Sequence, residues 1–345
     1  MKQKVTIYSL AKELNMSPSM VSRAFSDHAM VAENKRKLVL QTAEKYGYHP
    51  NSFASRLSGK TIKIGVIIYS KYKSILDDML NGIEEAHKNV KDYKITYDVV
   101  VIKAEDKKSW ECRDELMSMV AYDGVIVSGF SAEQCVPMLN EFYEQNNNMV
   151  QLQSDNSNVK CLFSSKHDEK TAACIAAEFL ADCLSRSKRK NVILFTGDMS
   201  SSLHRTAKLE FVEAAKKFDL TLLDCIDMND KEEVLREKCL DVFSKYQDAI
   251  DGIYITSSVC EELCRAVSSR KNISLVTFDI YGNTKDYIAN KTICASVFQD
   301  VRHQSYVAFD KLARHIISGE KCDKVVHTNI RLILKSNISD FLTST

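Results

Sequence analysis

Residues 5–23 read VTIYSLAKELNMSPSMVSR and predict two short helices joined by a tight turn. Apolar residues recur at helical spacing from Ile7 to Leu14, and the next two residues supply the turn. Ser17 is then an N-cap, and Pro18 is a proline at the first helical position. The stretch therefore predicts a helix-turn-helix, although an ordinary helical hairpin would have the same pattern.

The second helix of a helix-turn-helix presents the side chains near its start to base edges in the major groove of DNA. In this chain those side chains belong to Ser19, Met20, Ser22 and Arg23. They are the first candidates for a DNA-reading surface.

A third helical stretch follows from about Val31 to Lys45, and a short polar segment then leads into an apolar run. With these segments in place, the chain resembles the lac repressor (LacI/GalR) family of bacterial transcription regulators. The resemblance extends more weakly to the C-terminus. It rests on residues 6–23, Tyr48-His49-Pro50-Asn51, Ala54, Leu57 and Ile64-Gly65-Val66.

This resemblance implies an α/β protein of three parts. They are a three-helix helix-turn-helix head over residues 1–50, a hinge over 51–60, and a two-lobed, periplasmic-binding-protein-like core over 61–345. The residues expected to contact DNA are Thr6, Ser17, Pro18, Ser19, Met20, Ser22, Arg23, Asn51, Ala54 and Leu57.

The hinge is too short and too polar to form a helix by itself, since isolated helices below about 12 to 15 residues are marginal in water. We expect it to become ordered only on DNA. In the family, two such segments pair across a dimer, and each inserts a leucine between base steps of the minor groove. Leu57 matches that leucine and Ala54 the small residue beside it. The alternative is that Leu57 is a linker residue packed on the core.

Charge is distributed unevenly along the chain. Residues 1–60 hold ten Lys and Arg against four Asp and Glu, a net charge of +6 within a total of +1. The remaining 285 residues therefore carry a net charge of −5. A positive head on a mildly negative body is what phosphate binding at one end of the protein predicts.

The eleven cysteines are odd in number and include no Cys-x-x-Cys pair, which indicates reduced thiols. Cys260 and Cys264 lie one helical turn apart without a histidine at metal-ligand spacing, so we expect neither a metal site nor a cofactor. The sequence has neither a signal-peptide apolar region nor an apolar run that could cross a bilayer. It predicts a cytoplasmic protein with no membrane partner.

From Lys63 onward, short apolar runs alternate with amphipathic helical stretches, which predicts α/β lobes with parallel sheets. We expect the chain to cross between lobes near residues 155–170, 279–284 and 296–302, and to end with a helix over Val301–Ile317 and a closing strand over Val325–Leu334. The other predicted strands are Lys63–Tyr69, Ile95–Ile102, Gly124–Ser128, Met149–Leu152, Asn191–Thr196, Leu220–Ile226, Gly252–Thr256 and Ser274–Phe278.

Common enzyme motifs are missing from the sequence. It contains no Gly-x-Gly-x-x-Gly, no Walker-type Gly-x-x-x-x-Gly-Lys and no Gly-x-Ser-x-Gly. The eight histidines are dispersed, so we interpret His167 and His204 as satisfied polar groups. We therefore expect no catalytic residues.

Clefts between two α/β lobes bind ligands at the loops beyond the strand ends. The resemblance implies two effector contacts there. Asp279 matches the acid that usually holds effector hydroxyls, and Gln299 matches the glutamine of a Gln-Asp segment that faces the cleft. The alternative for each residue is a structural cap or a loop hydrogen bond.

The chain departs from the family pattern at the arginine that grips the effector. Ala207 occupies its place and Glu210 that of a glycine, while Arg205 lies two residues before Ala207 and is a candidate substitute. The Asn-Asp pair that the family often has after a later strand is Ser257-Ser258 here, and the acid that follows the position of Asp279 is Ile280. A changed ligand and a cleft that binds none both remain open.

These observations predict a homodimeric, sequence-specific DNA-binding regulator, an effector-responsive repressor of a carbohydrate operon, on a near-palindromic operator. Its effector would be a sugar or a sugar derivative. Two alternatives are a regulator with a degenerate cleft controlled by a protein partner, and an enzyme or carbohydrate-binding core with an appended DNA-binding head. No leucine heptads follow the last strand, so a coiled-coil tetramer is not expected.

Overall fold

The computed structural model describes residues 7–25, 31–46, 61–90, 93–270 and 272–341. The chain divides into an N-terminal unit, which includes the residues up to Thr61, and a core, which includes almost all residues from Ile62 onward.

The N-terminal unit contains helices α1 (Ile7–Glu13), α2 (Pro18–Ala24) and α3 (Glu33–Lys45). Between the first two, Asn15 has a left-handed φ of 50°, and the Met16 N–H donates to the Ala11 carbonyl over 2.9 Å. At the start of α2, the Ser17 hydroxyl oxygen accepts from the Met20 N–H over 3.2 Å. The predicted turn and N-cap are therefore present.

A small apolar core holds these three helices together. Helices this short are marginal on their own, so their stability comes from packing. Among the described residues, the buried members of this core are Leu10, Ala11, Val21, Ala24, Val39 and Ala43.

The core of the protein alternates strands and helices. Up to His167 the elements are β1 (Ile62–Ser70), α4 (Lys73–Val90), β2 (Ile95–Lys103), α5 (Arg113–Met117), β3 (Gly124–Ser128), α6 (Val136–Gln145), β4 (Met149–Leu152) and β5 (Phe163–His167). There follow α7 (Glu169–Cys183), β6 (Asn191–Thr196), α8 (Ser202–Lys217), β7 (Thr221–Asp227), α9 (Glu232–Tyr246), β8 (Gly252–Ile255), α10 (Glu261–Ser268), β9 (Ser274–Phe278), α11 (Thr284–Ala289) and β10 (Ile293–Phe298). The last elements are α12 (Val301–Ser318), β11 (Val325–Thr328) and β12 (Arg331–Ile333).

Two six-stranded sheets form two lobes. The first sheet has the order β11-β5-β4-β3-β1-β2 and the second the order β12-β10-β9-β8-β6-β7. Among the described strands, only β12 pairs antiparallel, with β10. Central strands such as β3 and β8 are buried along their whole length, as expected for parallel sheets covered by helices on both faces.

The chain crosses between the lobes only partly as predicted. It crosses after β5 and again at residues 299–300, between β10 and α12, within two of the predicted ranges. The predicted crossing at 279–284 is wrong, because β9 and β10 pair in one sheet. The predicted closing strand is instead two strands, and the third crossing lies between them at residues 329–330.

The sequence analysis missed β5 and the helix α7 that follows it. Residues 163–167 read FSSKH, yet all five are buried. An apolar run is the usual signal of a buried strand, and this strand lacks one because its serines, lysine and histidine are held by buried polar contacts.

Helices α4 and α12 approach each other closely at Gly82. A Cβ atom at this position would lie 2.0 Å from the backbone carbonyl oxygen of Arg302. Because the obstacle is backbone, no side-chain rotation could relieve the clash.

We predict that Gly82→Ala destabilises the core by about 1–3 kcal/mol, the usual cost of overpacking a close contact. Urea denaturation should show a lower midpoint than that of the wild type. The matched control is Asn81→Ala, at an exposed neighbour on the same helix, which should leave the midpoint nearly unchanged. Equal midpoints for Gly82→Ala and the wild type would contradict the close packing.

Candidate functional site

Asp279 and Gln299 lie side by side at the carboxyl ends of two neighbouring strands. Asp279 follows β9 and Gln299 follows β10, and these strands are paired in parallel. The Gln299 side-chain amide donates to Asp279 Oδ2 over 2.7 Å, and the Gln299 backbone N–H donates to Oδ1 over 3.3 Å. The structure therefore brings together two residues that the sequence predicts for the cleft.

Further polar contacts fix this pair. The Ser296 hydroxyl donates to the Asp279 carbonyl over 2.5 Å. The side-chain amide of Gln304, on α12, donates to the Gln299 backbone carbonyl over 2.8 Å and to Gln299 Oε1 over 3.2 Å. Asp279 has a left-handed φ of 63°, and these bonds hold it in that conformation.

Burial dominates the electrostatics of Asp279, which is only 2% exposed. Loss of solvent raises the pKa of its carboxyl to about 7, against the opposing effect of the hydrogen bonds from Gln299. The nearby acids Asp78 and Asp300 raise this pKa further. Asp279 therefore changes charge close to neutral pH.

A small cavity lies beside this pair, at the ends of β5, β8 and β9 and against α7 and α8. Its volume is about 20 Å³, which is room for about one water molecule. Three buried polar atoms on its lining residues have no hydrogen-bond partner: His167 Nδ1, His204 Nδ1 and Thr256 Oγ1. Buried polar atoms are rarely left unpaired, so this cavity is the strongest candidate for a ligand site.

His167 is neutral in this environment. Burial and the charge of Lys166 lower its pKa to about 4, against the opposing effect of its hydrogen bond to Gln299. Lys166 is itself buried and ion-paired, with its Nζ 2.6 Å from Glu169 Oε2 and 2.8 Å from Asp155 Oδ1.

His204 faces a second buried acid. Its Nε2 lies 3.0 Å from Asp230 Oδ2, and the Ser257 hydroxyl donates to Asp230 Oδ1 over 2.7 Å. Burial alone would favour the neutral acid, but His204, Ser257 and the Asp198 N–H together hold the pKa of Asp230 below its usual range.

Arg205 lies on α8 but does not line the cavity. Its guanidinium donates to the carbonyls of Met199 and Ser200 over 3.0 and 2.7 Å and to Glu133 Oε1 over 2.8 Å. The cavity is lined instead by Ala207, the residue at the family arginine's position. In this structure the guanidinium of Arg205 forms an ion pair with Glu133 of the first lobe. The effector-binding role of Arg205 stays a prediction.

Two other departures from the family pattern have structural roles. Ser257 is the partner of Asp230. Ile280 belongs to the apolar core of the second lobe, a position in which an acid would be buried without a partner.

The two lobes contact each other directly across the cleft. The Tyr72 hydroxyl donates to the Asp230 carbonyl over 2.9 Å, and the Tyr281 hydroxyl donates to Asp78 Oδ2 over 3.0 Å. The hydroxyls of Ser131 and Ser201 are 2.7 Å apart. The cleft is thus closed by the protein's own side chains.

In the N-terminal unit, the start of α2 faces solvent. Ser17, Pro18, Ser19 and Arg23 are exposed, and Met20 is half-buried. Ser22 belongs to the same helix. Four of the predicted DNA contacts lie outside the described residues: Thr6, Asn51, Ala54 and Leu57.

Sequence reasoning missed Lys166, Glu169 and Asp230. It interpreted His167 and His204 as satisfied polar groups, which is wrong for one nitrogen of each ring, because both Nδ1 atoms lack a hydrogen-bond partner. A charged residue directly after a strand was the available signal for Asp230, which follows β7 closely in the sequence. No local sequence signal marks His167 and His204 as neighbours of one cavity, because their proximity depends on how distant strands and helices pack together.

Within the described ranges no group of His, Cys, Asp and Glu could hold a metal ion, and no described helix is long and apolar enough to span a membrane. All eleven cysteines are free thiols.

A two-lobed α/β core with a cleft at the strand ends defines a binding-protein fold, and comparison with known proteins agrees. Residues 64–321 match the model of a periplasmic binding protein domain. The periplasmic ribose ABC transporter protein of Conexibacter woesei superposes with a TM-score of 0.73 at 17% identity, over 84% of this chain and 97% of that chain. The glucose-galactose binding protein GanP of Geobacillus stearothermophilus gives 0.71 at 19% identity, over 81% and 99%. These likenesses show the fold.

Similar sequences are transcription regulators. Catabolite control protein A of Priestia megaterium is 29% identical over 60% of this chain and 59% of that protein, so the alignment spans about three fifths of its length. The regulator pepR1 of Lactobacillus delbrueckii subsp. lactis is 24% identical over 80% of this chain and 75% of its own. The chain therefore belongs to the lac repressor (LacI/GalR) family, with a periplasmic binding protein domain as its core.

The raised pKa of Asp279 predicts a pH-dependent stability. The folded state holds the Asp279 proton more tightly than the unfolded state, so the free energy of unfolding should fall as pH rises from about 4 to about 7. Asp279→Asn should remove on the order of 2–4 kcal/mol of this dependence. Urea denaturation at several pH values measures it. The control Asp77→Asn, at an exposed site, should keep the wild-type dependence. An unchanged slope in Asp279→Asn would refute the assignment.

Proposed function

We propose that this protein is a homodimeric, sequence-specific DNA-binding transcription regulator, a repressor whose core responds to a small cytoplasmic molecule. Residues 1–50 are its helix-turn-helix head, 51–60 its hinge, and 61–345 its sensing and dimerisation core. It acts without a cofactor and without catalysing a reaction. Its place in the cell is the cytoplasm, where bacterial operators are.

The observation that carries this proposal is the exposed start of α2. Ser17 caps the helix, and Ser19 and Arg23 extend into solvent from its first two turns. A helix in this position can enter the major groove with these side chains at base edges. The charge of +6 over residues 1–60 supports phosphate binding by the same unit.

Selection from a random pool of double-stranded DNA by the full-length protein tests the proposal. We expect enrichment of a near-palindromic site. If no sequence is enriched under conditions in which the protein is folded, the proposal fails.

Base reading and phosphate binding are separable in the head. Arg23→Ala should weaken binding to the selected site by about 1–3 kcal/mol if the arginine contacts a guanine, and weaken binding to random DNA much less. Lys37→Ala, at an exposed lysine of α3, should weaken both equally and reduce the salt slope by about one. Fluorescence anisotropy over a range of salt concentrations measures both effects. Equal losses on the two DNAs for Arg23→Ala would argue against base reading.

The dimeric state that we propose follows from the number of recognition helices in the head. One recognition helix per chain offers little surface for tight specific binding, and a near-palindrome requires two related heads. Sedimentation of the DNA-free protein should therefore give a dimer. A monomer at micromolar concentration, or a stable tetramer, would count against this assembly.

The cleft is the proposed sensor. Asp279 and Gln299 lie at the strand ends, where two-lobed α/β proteins bind ligands. Solved proteins of similar fold include one described as glucose-galactose binding and one crystallised with D-arabinose, which supports a carbohydrate effector.

One observation favours a second candidate. The cleft is closed by direct contacts between the lobes, and its cavity is only about 20 Å³. A regulator whose cleft has lost its ligand and which answers to a protein partner would have this property. Calorimetry with a panel of sugars separates the two, because only the sensor binds one of them and changes its operator affinity.

A further inference from the structure

We infer that the first lobe carries a second small-molecule site, separate from the cleft, and that this site takes a free amino acid. The site is a pocket of about 410 Å³, a volume within the range of ordinary small-molecule sites. We call it the loop pocket, because residues 155–161, between β4 and β5, form much of its wall. Of the described residues, none lines both this pocket and the cavity of the cleft.

Three neighbouring strands form the floor of the loop pocket. Gln151 of β4 and Val325 of β11 both lie in register with Ser164 of β5, and all three residues line the pocket. Residues in register on neighbouring strands present their side chains to the same face of a sheet. The loop pocket therefore lies on a face of the first sheet, whereas the cleft lies at the carboxyl ends of the strands.

Gln151 is the strongest sign that the loop pocket takes a ligand. The residue is only 3% exposed. Its amide nitrogen donates to the Cys161 sulfur over 3.4 Å, and sulfur is a weak acceptor. Its Oε1 atom accepts no hydrogen bond from a described residue. Because buried polar atoms are rarely left unpaired, a ligand with an N–H or O–H group would complete the contacts of this amide.

One wall of the loop pocket holds an acid whose charge is only partly compensated. Asp155 Oδ1 lies 2.8 Å from the Lys166 ammonium group, which also lies 2.6 Å from Glu169 Oε2. Two carboxylates therefore share one ammonium group. Lys166 and Glu169 are buried, but the Asp155 side chain is 42% exposed, so Asp155 is the carboxylate that a cation of the ligand can reach.

Lys324, just before β11, supplies the opposite charge. Its ammonium group donates to the Cys161 carbonyl over 3.3 Å, and no carboxylate among the described residues forms an ion pair with it. The other lysine at the pocket, Lys160, is paired with Glu144. Lys324 is therefore the cation that is available to a carboxylate of the ligand, and such charge-assisted bonds are stronger than neutral ones.

An acid and an ammonium group in one pocket match a ligand that carries both charges. A free amino acid has an ammonium group for Asp155 and Gln151 and a carboxylate for Lys324. A neutral sugar would leave both protein charges without a partner. A phosphate would meet the carboxylate of Asp155 without a cation of its own. The charges of the pocket therefore favour a zwitterion.

The loop pocket is connected to the cleft through Lys166. The ammonium group of this lysine contacts Asp155 at the pocket and Glu169, which lines the cavity of the cleft. An ammonium group of the ligand competes with Lys166 for Asp155 and leaves Lys166 to Glu169 alone. Binding in the pocket therefore changes the charges at the wall of the cleft.

A second connection runs to the other lobe. Asn156, which lines the pocket, donates from its side-chain amide to Glu133 Oε1 over 3.3 Å. The same oxygen accepts from the guanidinium of Arg205, on α8 of the second lobe, over 2.8 Å. The pocket wall thus shares an acceptor with a contact between the lobes, and a ligand that prefers one arrangement of the lobes shifts the balance between them.

Calorimetric titration of the full-length protein near neutral pH and at fixed ionic strength tests the inference. The probes are glycine, L-serine, L-glutamine and L-valine. We expect saturable binding of at least one of them. Its N-acetyl derivative and its carboxamide, each of which lacks one charge, should bind at least about 10-fold more weakly. No binding of any probe, or equal binding of either derivative, overturns the inference.

Two variants at exposed positions locate the site. Lys324→Met removes the proposed partner of the ligand carboxylate and Asp155→Asn that of the ligand ammonium group, and each should weaken the bound probe about 10-fold. The control Lys321→Met changes an exposed lysine that does not line the pocket and should leave binding unchanged. Thermal denaturation checks that all three variants are folded. Wild-type affinity in Lys324→Met or Asp155→Asn would refute the site.

DNA affinity measures the connection to the lobes, and this part of the test rests on the proposed DNA binding. A saturating concentration of the bound probe should change the affinity for the selected DNA site by about 5-fold or more, the usual size of coupling between two sites. At the same concentration its effect on Lys324→Met should be smaller. An unchanged DNA affinity in the wild type would contradict the connection. Calorimetry needs no DNA, so failure of the DNA-binding proposal would leave the test of the amino-acid site intact.

Discussion

Gln299 connects the parts of the cleft to one another. Its side-chain amide donates to Asp279 Oδ2 over 2.7 Å, and its backbone carbonyl accepts from Gln304 on α12 over 2.8 Å. Two strand ends and the crossing helix therefore meet at this residue. A buried carboxyl is tolerated only when it is hydrogen-bonded, so the position of Asp279, and with it the shape of the cleft, depends on these contacts.

The sequence predicts most of the fold because most elements obey local rules. Ser17 and Pro18 mark the start of α2, and apolar runs mark strands such as β3 and β9. The exceptions share one cause, which is that a polar element is buried by partners distant in the sequence. Lys166 is acceptable in β5 only because Glu169 and Asp155 surround its ammonium group. Likewise, the last predicted strand is two strands in the structure, because β11 joins the edge of the first sheet and β12 joins the edge of the second. Local sequence patterns do not show which sheet edge a strand will join.

The candidate site was predictable to a smaller extent. Asp279 and Gln299 stood out through family resemblance, and parallel pairing of β9 with β10 brings them together. The cavity beside them was hidden, since His167 and His204 come from strands and helices of different parts of the chain. Arg205 illustrates the converse problem. Its residue type fits an effector contact, yet its guanidinium is held by Glu133 and two carbonyls, and such competition is visible only once both lobes are in place.

Because the protein's own side chains close the cleft, a ligand can change the conformation only by replacing those contacts. The contacts across it are single hydrogen bonds such as Tyr72 with the Asp230 carbonyl and Tyr281 with Asp78, and each such bond contributes about 0.5–1.5 kcal/mol. A ligand shifts an equilibrium only by the difference in its affinity for the two states. A ligand that merely fitted the closed cavity would stabilise the state already present. A ligand large enough to separate Tyr72 from Asp230 must replace those bonds with its own, and closure leaves the Nδ1 atoms of His167 and His204 without a partner. The unpaired atoms thus lower the cost of exchanging protein contacts for ligand contacts.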